Sequence, residues 1–164
     1  MSLVKLVSNY SAFNEWANTQ ILDWLQTLDV TFLYKNSPSS YPSIDLTLQH
    51  ILRAQKFWFQ FINEFDTSHF NWAANQNQTE KNAEELRVIS TAMKDSFSTF
   101  NESQLLKLLQ LNMPWAKNEC CRYEYIIHVV NHSSFHRGQI VSIARNLGIS
   151  NGIPNTDYNI FNCK

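Results

Sequence analysis

Residues 128–139 read HVVNHSSFHRGQ and place three of the chain's five histidines, His128, His132 and His136, at every fourth position. A helix turns about 100° per residue, so a step of four returns to nearly the same side with a drift of roughly 40°. Neighbours in such a series can share one ion. The outer two stand about 12 Å apart along the axis, too far for both to reach the same metal. One histidine therefore has a different task, and the surrounding apolar residues indicate which. Tyr125, Val129, Ile140, Ile143 and Leu147 form a helical stripe whose gaps fall at positions 132 and 136. His128 lies on the flank with Asn131, Phe135 and Gln139. The expectation is that His132 and His136 face the core and that His128 sits beside it.

Working outward, this stretch belongs to a helix expected from about Arg122 to Leu147. It closes at Gly148, the position after a helix that commonly needs a left-handed residue. Leu6, Tyr10, Phe13, Trp16, Ala17, Ile21, Trp24 and Leu25 recur at three- and four-residue steps and predict a first helix from about Leu3 to Leu28. The linker YKNSPSSYPSID follows, in which Ser43 or Asp45 can cap what comes next. A second helix is expected from Ile44 to Phe65, with Leu46, His50, Ala54, Phe57 and Phe61 along one face. The polar run NWAANQNQTEKN reads as a solvated loop, and Thr79, Asn82 and Glu84 open a third helix from Ala83 to about Phe100. Pro114 forbids one continuous helix through ESQLLKLLQLNMPWAKNECCRYEY, and MPWAKN reads as the turn of a small hairpin. Four helices with no internal repeat make an all-α four-helix bundle, expected as one domain over residues 1–164.

The composition suits that reading. With 164 residues, 44% of them hydrophobic, eleven Phe and five Trp against three Gly, the chain can build a core without staples. A formal charge of -1, from 13 basic and 14 acidic residues, offers no basic surface for a phosphate backbone, so nucleic acid is not an expected partner. Cys120, Cys121 and Cys163 form no CxxC pair and are odd in number, which argues against a disulfide framework and for a reducing cytoplasm. The opening MSLVKLVSNYSAFNEW resembles neither a signal peptide nor a membrane span, so no membrane partner is expected.

On the second helix, His50 lies on the core-facing line between Leu46 and Ala54. Two histidines at i and i+4 often arise by chance, and on that spacing alone chance or structural hydrogen bonding accounts for them better than ligation. An unpaired buried polar group costs about 1–3 kcal/mol, however, and a metal satisfies several imidazoles at once. Three inward histidines on two helices of one small bundle therefore argue for a shared ion. His69, in the loop after the second helix, has no such context and reads as solvated.

Three segments carry a resemblance over nearly the whole chain. FNEWANTQILDWL, SIDLTLQHILRAQKFWFQFI, and HVVNHSSFHRGQI with the following LG and IPNTDYN resemble the DinB-like and YfiT-like superfamily of metal-dependent four-helix proteins. The resemblance implies an up-down-down-up bundle, often a homodimer, with a divalent ion at one end of the core. Its histidine triad falls on His50, His132 and His136, in agreement with the periodicity. His128, Arg137 and Gln139 match positions around the ligands; Arg137 reads as a surface or interface charge or a substrate anchor, and Gly138 as a site of close helix approach. Members of the superfamily include transferases and isomerases that use bacillithiol, mycothiol or glutathione, and proteins described as metal-dependent hydrolases.

Three neutral imidazoles leave at least one position open on a divalent ion, the pattern of a catalytic rather than a structural zinc site. Zinc or nickel suits such ligands. A water there can have its pKa lowered to about 7, and a thiol there is deprotonated outright. No Glu or Asp adjoins the triad in sequence; Asp157 and Glu124 could reach it only through folding. A hydrolase would use such a base, whereas thiol transfer needs none. The expected function is therefore transfer of a low-molecular-weight thiol to a small-molecule substrate. A metal-dependent hydrolase and a non-catalytic dimeric metal-binding or stress-response module are the alternatives.

Overall fold

The Ser2 hydroxyl accepts the Lys5 N–H at 3.3 Å and starts α1, Leu3–Leu25, in a computed structural model that describes residues 2–72 and 78–163. A short α2, Val30–Tyr34, fills the stretch between the expected first helix and the linker, because the Asp29 carboxylate caps it at Thr31. Ser43 caps α3, Ile44–Ile62, by accepting from Leu46 N–H at 3.1 Å. Of the expected polar loop, residues 73–77 lie outside the described residues. Helix α4, Thr79–Phe97, begins four residues before the expected start, with buried Thr79 and Asn82 in its first turn rather than ahead of it. The next helix, α5, Glu102–Leu105, is one turn closed by an Asn101/Gln104 capping box. Strands β1, Leu108–Met113, and β2, Ala116–Cys121, form the hairpin anticipated at Pro114, with Met113 opposite Ala116 across a two-residue turn. Helix α6, Arg122–Asn146, and the short α7, Tyr158–Asn162, complete the chain.

Side-chain pairs give the direction of each long helix. Glu15 pairs with Lys94 and Asp23 with Arg87, so α1 and α4 run antiparallel. Lys56 pairs with Glu85 while Asn63 meets Ser96, so α3 and α4 run parallel. His50 faces His132 and Trp58 stacks on Tyr125, so α3 and α6 are antiparallel. Tyr10 meets Asn131 and Asn18 meets Arg137, making α1 and α6 parallel. The result is the up-down-down-up bundle. Parallel α3 and α4 require the long connection between them.

Inside the bundle the apolar residues fall into two clusters, one around Phe57, Phe97, Ile126 and Val129 and the other around Leu22, Ile44, Ile51 and Ile140. A polar belt separates them. Asn18 Nδ2 donates to Ser90 Oγ at 2.9 Å, which lies 3.0 Å from Gln55 Oε1, and Gln55 Nε2 donates to Ser133 Oγ at 3.0 Å. The belt contributes a residue from each long helix and satisfies its buried groups mutually, as buried polar atoms require. The three inward histidines stand at this level of the α3–α6 seam, where the sequence pattern already departs from continuous hydrocarbon. No described helix is long and apolar enough to cross a membrane.

Candidate metal centre

Helix α3 supplies His50, and α6 supplies His132 and His136 one turn apart. The antiparallel crossing brings their rings together: Nε2 of His132 lies 2.9 Å from Nε2 of His50 and 3.2 Å from Nε2 of His136. All three ligand atoms fall within 4.8 Å of one another, and this is the one cluster of three or more potential ligand side chains among the described residues. A tetrahedral ion with Zn–N bonds near 2.05 Å spaces its ligand nitrogens about 3.3 Å apart, close to the two spacings about His132, so the three side chains could hold a divalent ion. It fits hydrogen bonding poorly. His132 Nε2 faces two other Nε2 atoms, and a single ring nitrogen with one in-plane hydrogen-bonding site does not match both well.

The environment favours the neutral form of the rings. Burial, reinforced by the neighbouring His136, pulls His50 down to about 4, and the same causes pull His132 down to about 3. Burial also lowers His136, against a hydrogen bond to Gln139 that favours its charged form. That bond joins His136 Nδ1 to Gln139 Oε1 at 2.7 Å. Because the amide oxygen only accepts, the proton sits on Nδ1 and leaves the Nε2 lone pair for an ion. His132 Nδ1, by contrast, is buried with no hydrogen-bond partner.

Two contacts came from a region the periodicity left as linker. The Tyr41 ring stacks on His50 with centroids 4.2 Å apart and stands edge-on to His136 at 5.7 Å. Beside it, the Ser40 hydroxyl lies 3.4 Å from Gln139 Nε2. The loop ahead of α3 thus forms a wall of the centre. No hydrophobic period marks a loop residue, so nothing in the sequence pattern pointed to either.

The other residues singled out from sequence are dispersed. His128 is exposed on the flank, packed edge-on against Trp58 at 4.8 Å and with its ring 6.0 Å from that of His132. His69 is exposed. Arg137 is neither a surface charge nor beside the triad: it is 2% exposed and turned towards α1, where it donates to Asn14 Oδ1, Asn18 Oδ1 and Ser134 Oγ. The reason is angular, since residue 137 is rotated about 100° from residue 136 and so faces a different neighbouring helix. Gly138 does not accommodate a close helix within the chain, because a Cβ there would meet nothing within 4 Å. Glu124 closes a capping box with Cys121 N–H at 2.8 Å, and Asp157 is the N-cap of α7. Neither carboxylate joins the histidine cluster.

Comparison with known proteins agrees with the fold. The family model described as "DinB family" matches residues 1–162. Protein DinB of Bacillus subtilis (strain 168) is 30% identical over 155 residues, covering 91% of this chain and 89% of that protein. The crystal structure of a DinB-like protein from Bacillus cereus ATCC 10987 superposes with a TM-score of 0.66 at 15% identity, over 85% of this chain and 89% of that one. A match along almost the entire length, joined to the up-down-down-up bundle and its three-histidine cluster, places the chain in the DinB family.

Proposed function

We propose that this chain is a metal-dependent enzyme whose His50, His132 and His136 hold one divalent ion, zinc or nickel, and which transfers a low-molecular-weight thiol to a small electrophile. The observation that carries the reading is the convergence of three Nε2 atoms with no carboxylate in the cluster. An ion held by three neutral imidazoles supplies Lewis acidity at an open position, lowering the pKa of a thiol there enough to make it nucleophilic at neutral pH. The chain's own residues prepare that position. Gln139 holds the His136 proton on Nδ1, Tyr41 fixes the plane of His50, and burial keeps the rings unprotonated. Hydrolysis at such a site commonly uses an adjacent carboxylate base, whereas Glu124 is held at the start of α6 by Cys121 N–H and Asp157 stands at the start of α7, neither of them in the histidine cluster. Thiol transfer is therefore the better fit to these residues. The three free cysteines accord with a reducing cytoplasm, and a homodimer accords with the family resemblance.

Elemental analysis and a screen of thiols against reactive electrophiles test this reading together. The expected result is one metal ion per chain, lost in His50→Ala, His132→Ala and His136→Ala and retained in His128→Ala. Thiol transfer should disappear with the metal and survive the triple change of Cys120, Cys121 and Cys163 to Ser. Activity that needs a cysteine and persists without metal would refute the mechanism. Full metal occupancy with no turnover of any thiol, electrophile or ester would favour a binding module.

A further inference from the structure

The core of this bundle contains a cation with no anionic partner among the described residues. Arg137 is 2% exposed, and its guanidinium meets only neutral groups: the side-chain oxygens of Asn14 at 3.1 Å, Asn18 at 2.8 Å and Ser134 at 2.8 Å, with the Phe13 ring 5.6 Å from Cζ. Its Nε is buried and bonds to nothing. Arg137 forms no ion pair among the described residues, whereas the other strongly buried guanidinium, Arg122, has Glu64. Guanidinium stays charged at any physiological pH, and an isolated charge taken from water costs several kcal/mol unless it is matched. Amide and hydroxyl dipoles offset part of that cost. They leave a net positive charge inside the molecule.

Arg137 also lines a cleft of about 610 Å³ between α6 and residues 150–157, on the opposite side of α6 from the histidines. Ser134, Gly138, Ser142 and Arg145 follow one another along the α6 wall at three- and four-residue steps. Arg145 is exposed and has no carboxylate partner among the described residues. Among the described residues, Asp157 is the one carboxylate lining the cleft. The centre of the wall is bare, because Gly138 has nothing within 4 Å of where its Cβ would stand. The Ser134 hydroxyl already donates to Val130 O at 3.0 Å, so the donors the cleft offers a ligand are the exposed Arg145 guanidinium and the Ser142 hydroxyl, beside an open floor and the buried Arg137 charge, a combination that suits an oxyanion.

We propose that this cleft binds a small oxyanion, a phosphate or a carboxylate, through Arg145 and the Ser142 hydroxyl, with Arg137 as the buried charge that makes the site attractive. The assignment is independent of the metal reading, since its residues lie outside the histidine cluster. Its test uses the full-length protein with its metal content monitored throughout. Thermal unfolding is followed against inorganic phosphate, and separately against acetate, at an ionic strength held constant with chloride.

A saturable rise in Tm beyond the chloride control is expected with at least one of the two probes, and which one responds identifies the source of the oxyanion. Arg145→Ala should weaken apparent binding by about tenfold, the loss of one charge-assisted hydrogen bond. Arg137 variants are at risk of not folding, so the second arm uses Gly138, where a new side chain has room. Gly138→Asp should unfold at a higher temperature than the near-isosteric Gly138→Asn and should no longer respond to the probe, because its carboxylate occupies the cleft. Metal content should be unchanged in each variant. A Tm response equal to chloride, a response unaffected by Arg145→Ala, or equal stability of Gly138→Asp and Gly138→Asn would overturn the proposal.

Discussion

Helices α3 and α6 end in the same hydrogen-bond motif with different residues at its left-handed position, and that difference supports a sharp prediction. After α6, Gly148 has φ 85°, its N–H bonds to Arg145 O at 3.0 Å, and Ile149 N–H bonds to Ala144 O at 2.9 Å. After α3, Glu64 has φ 60°, its N–H bonds to Phe61 O at 3.0 Å, and Phe65 N–H bonds to Gln60 O at 2.9 Å. A side chain in this conformation costs about 1–2 kcal/mol relative to Gly. The carboxylate offsets it, pairing with Arg122 and, at 2.5 Å, with Lys107. The Arg122 side chain is 5% exposed, and its remaining partners are Gln104 O and the Phe100 ring.

Glu64→Ala removes the one anion paired with Arg122 among the described residues and keeps the strained backbone. Breaking a fully buried pair costs about 3–5 kcal/mol, but Glu64 is 43% exposed and water screens its side of the pair, so about 2 kcal/mol is expected. For a chain of this size that lowers Tm by about 4–8 °C. Glu64→Gly removes the same anion and relieves the backbone, so its loss should be smaller by about 1 kcal/mol. Lys107→Ala, which breaks only the exposed pair, should cost less than about 0.5 kcal/mol. Adding Arg122→Met to Glu64→Ala should recover much of the loss, because no unpaired charge then remains. Urea unfolding of the five proteins, wild type included, measures these differences. Equal losses for Glu64→Ala and Glu64→Gly would show that residue 64 is unstrained; a loss for Glu64→Ala no larger than for Lys107→Ala would show that Arg122 does not depend on it.

Three further outcomes are expected. Gln139→Leu should weaken metal affinity by about 10–100-fold without unfolding the bundle, since it removes the acceptor that fixes the His136 tautomer; competition with a chromogenic chelator reads this directly. In the metal-free protein the folded-state values of His50 and His132, about 4 and about 3, lie below the ordinary 6.5, so the unfolded chain binds more protons across that interval. Stability is then full above pH 6.5 and is lost as pH falls through the folded values, and the double variant His50→Gln, His132→Gln should flatten that part of the pH profile. Gly148→Ala should lower stability by about 1 kcal/mol by forcing a side chain into the left-handed region, whereas Gly138→Ala should raise it slightly because its helical position is open.

The sequence by itself determined the four long helices, the hairpin at Pro114, and the inward turn of His50, His132 and His136, because each of these is written in local periodicity or in a residue with a fixed backbone preference. Helix ends were less legible. Thr79 and Asn82 looked like residues ahead of a helix and are its first turn, and Asp29 starts a helix that the following serines and prolines obscured. Tertiary structure alone decided which neighbours the motif residues meet. His136 and Arg137 are consecutive, yet a rotation of about 100° sends one to α3 and the other to α1, and only the arrangement of helices says what waits there. The same arrangement carried Tyr41 and Ser40 against the histidines, left Gly138 in the open, and put Glu64 beside Arg122 from 58 residues away. Periodicity reports which side of a helix is buried, and contact between distant segments depends on packing directions that no single segment encodes.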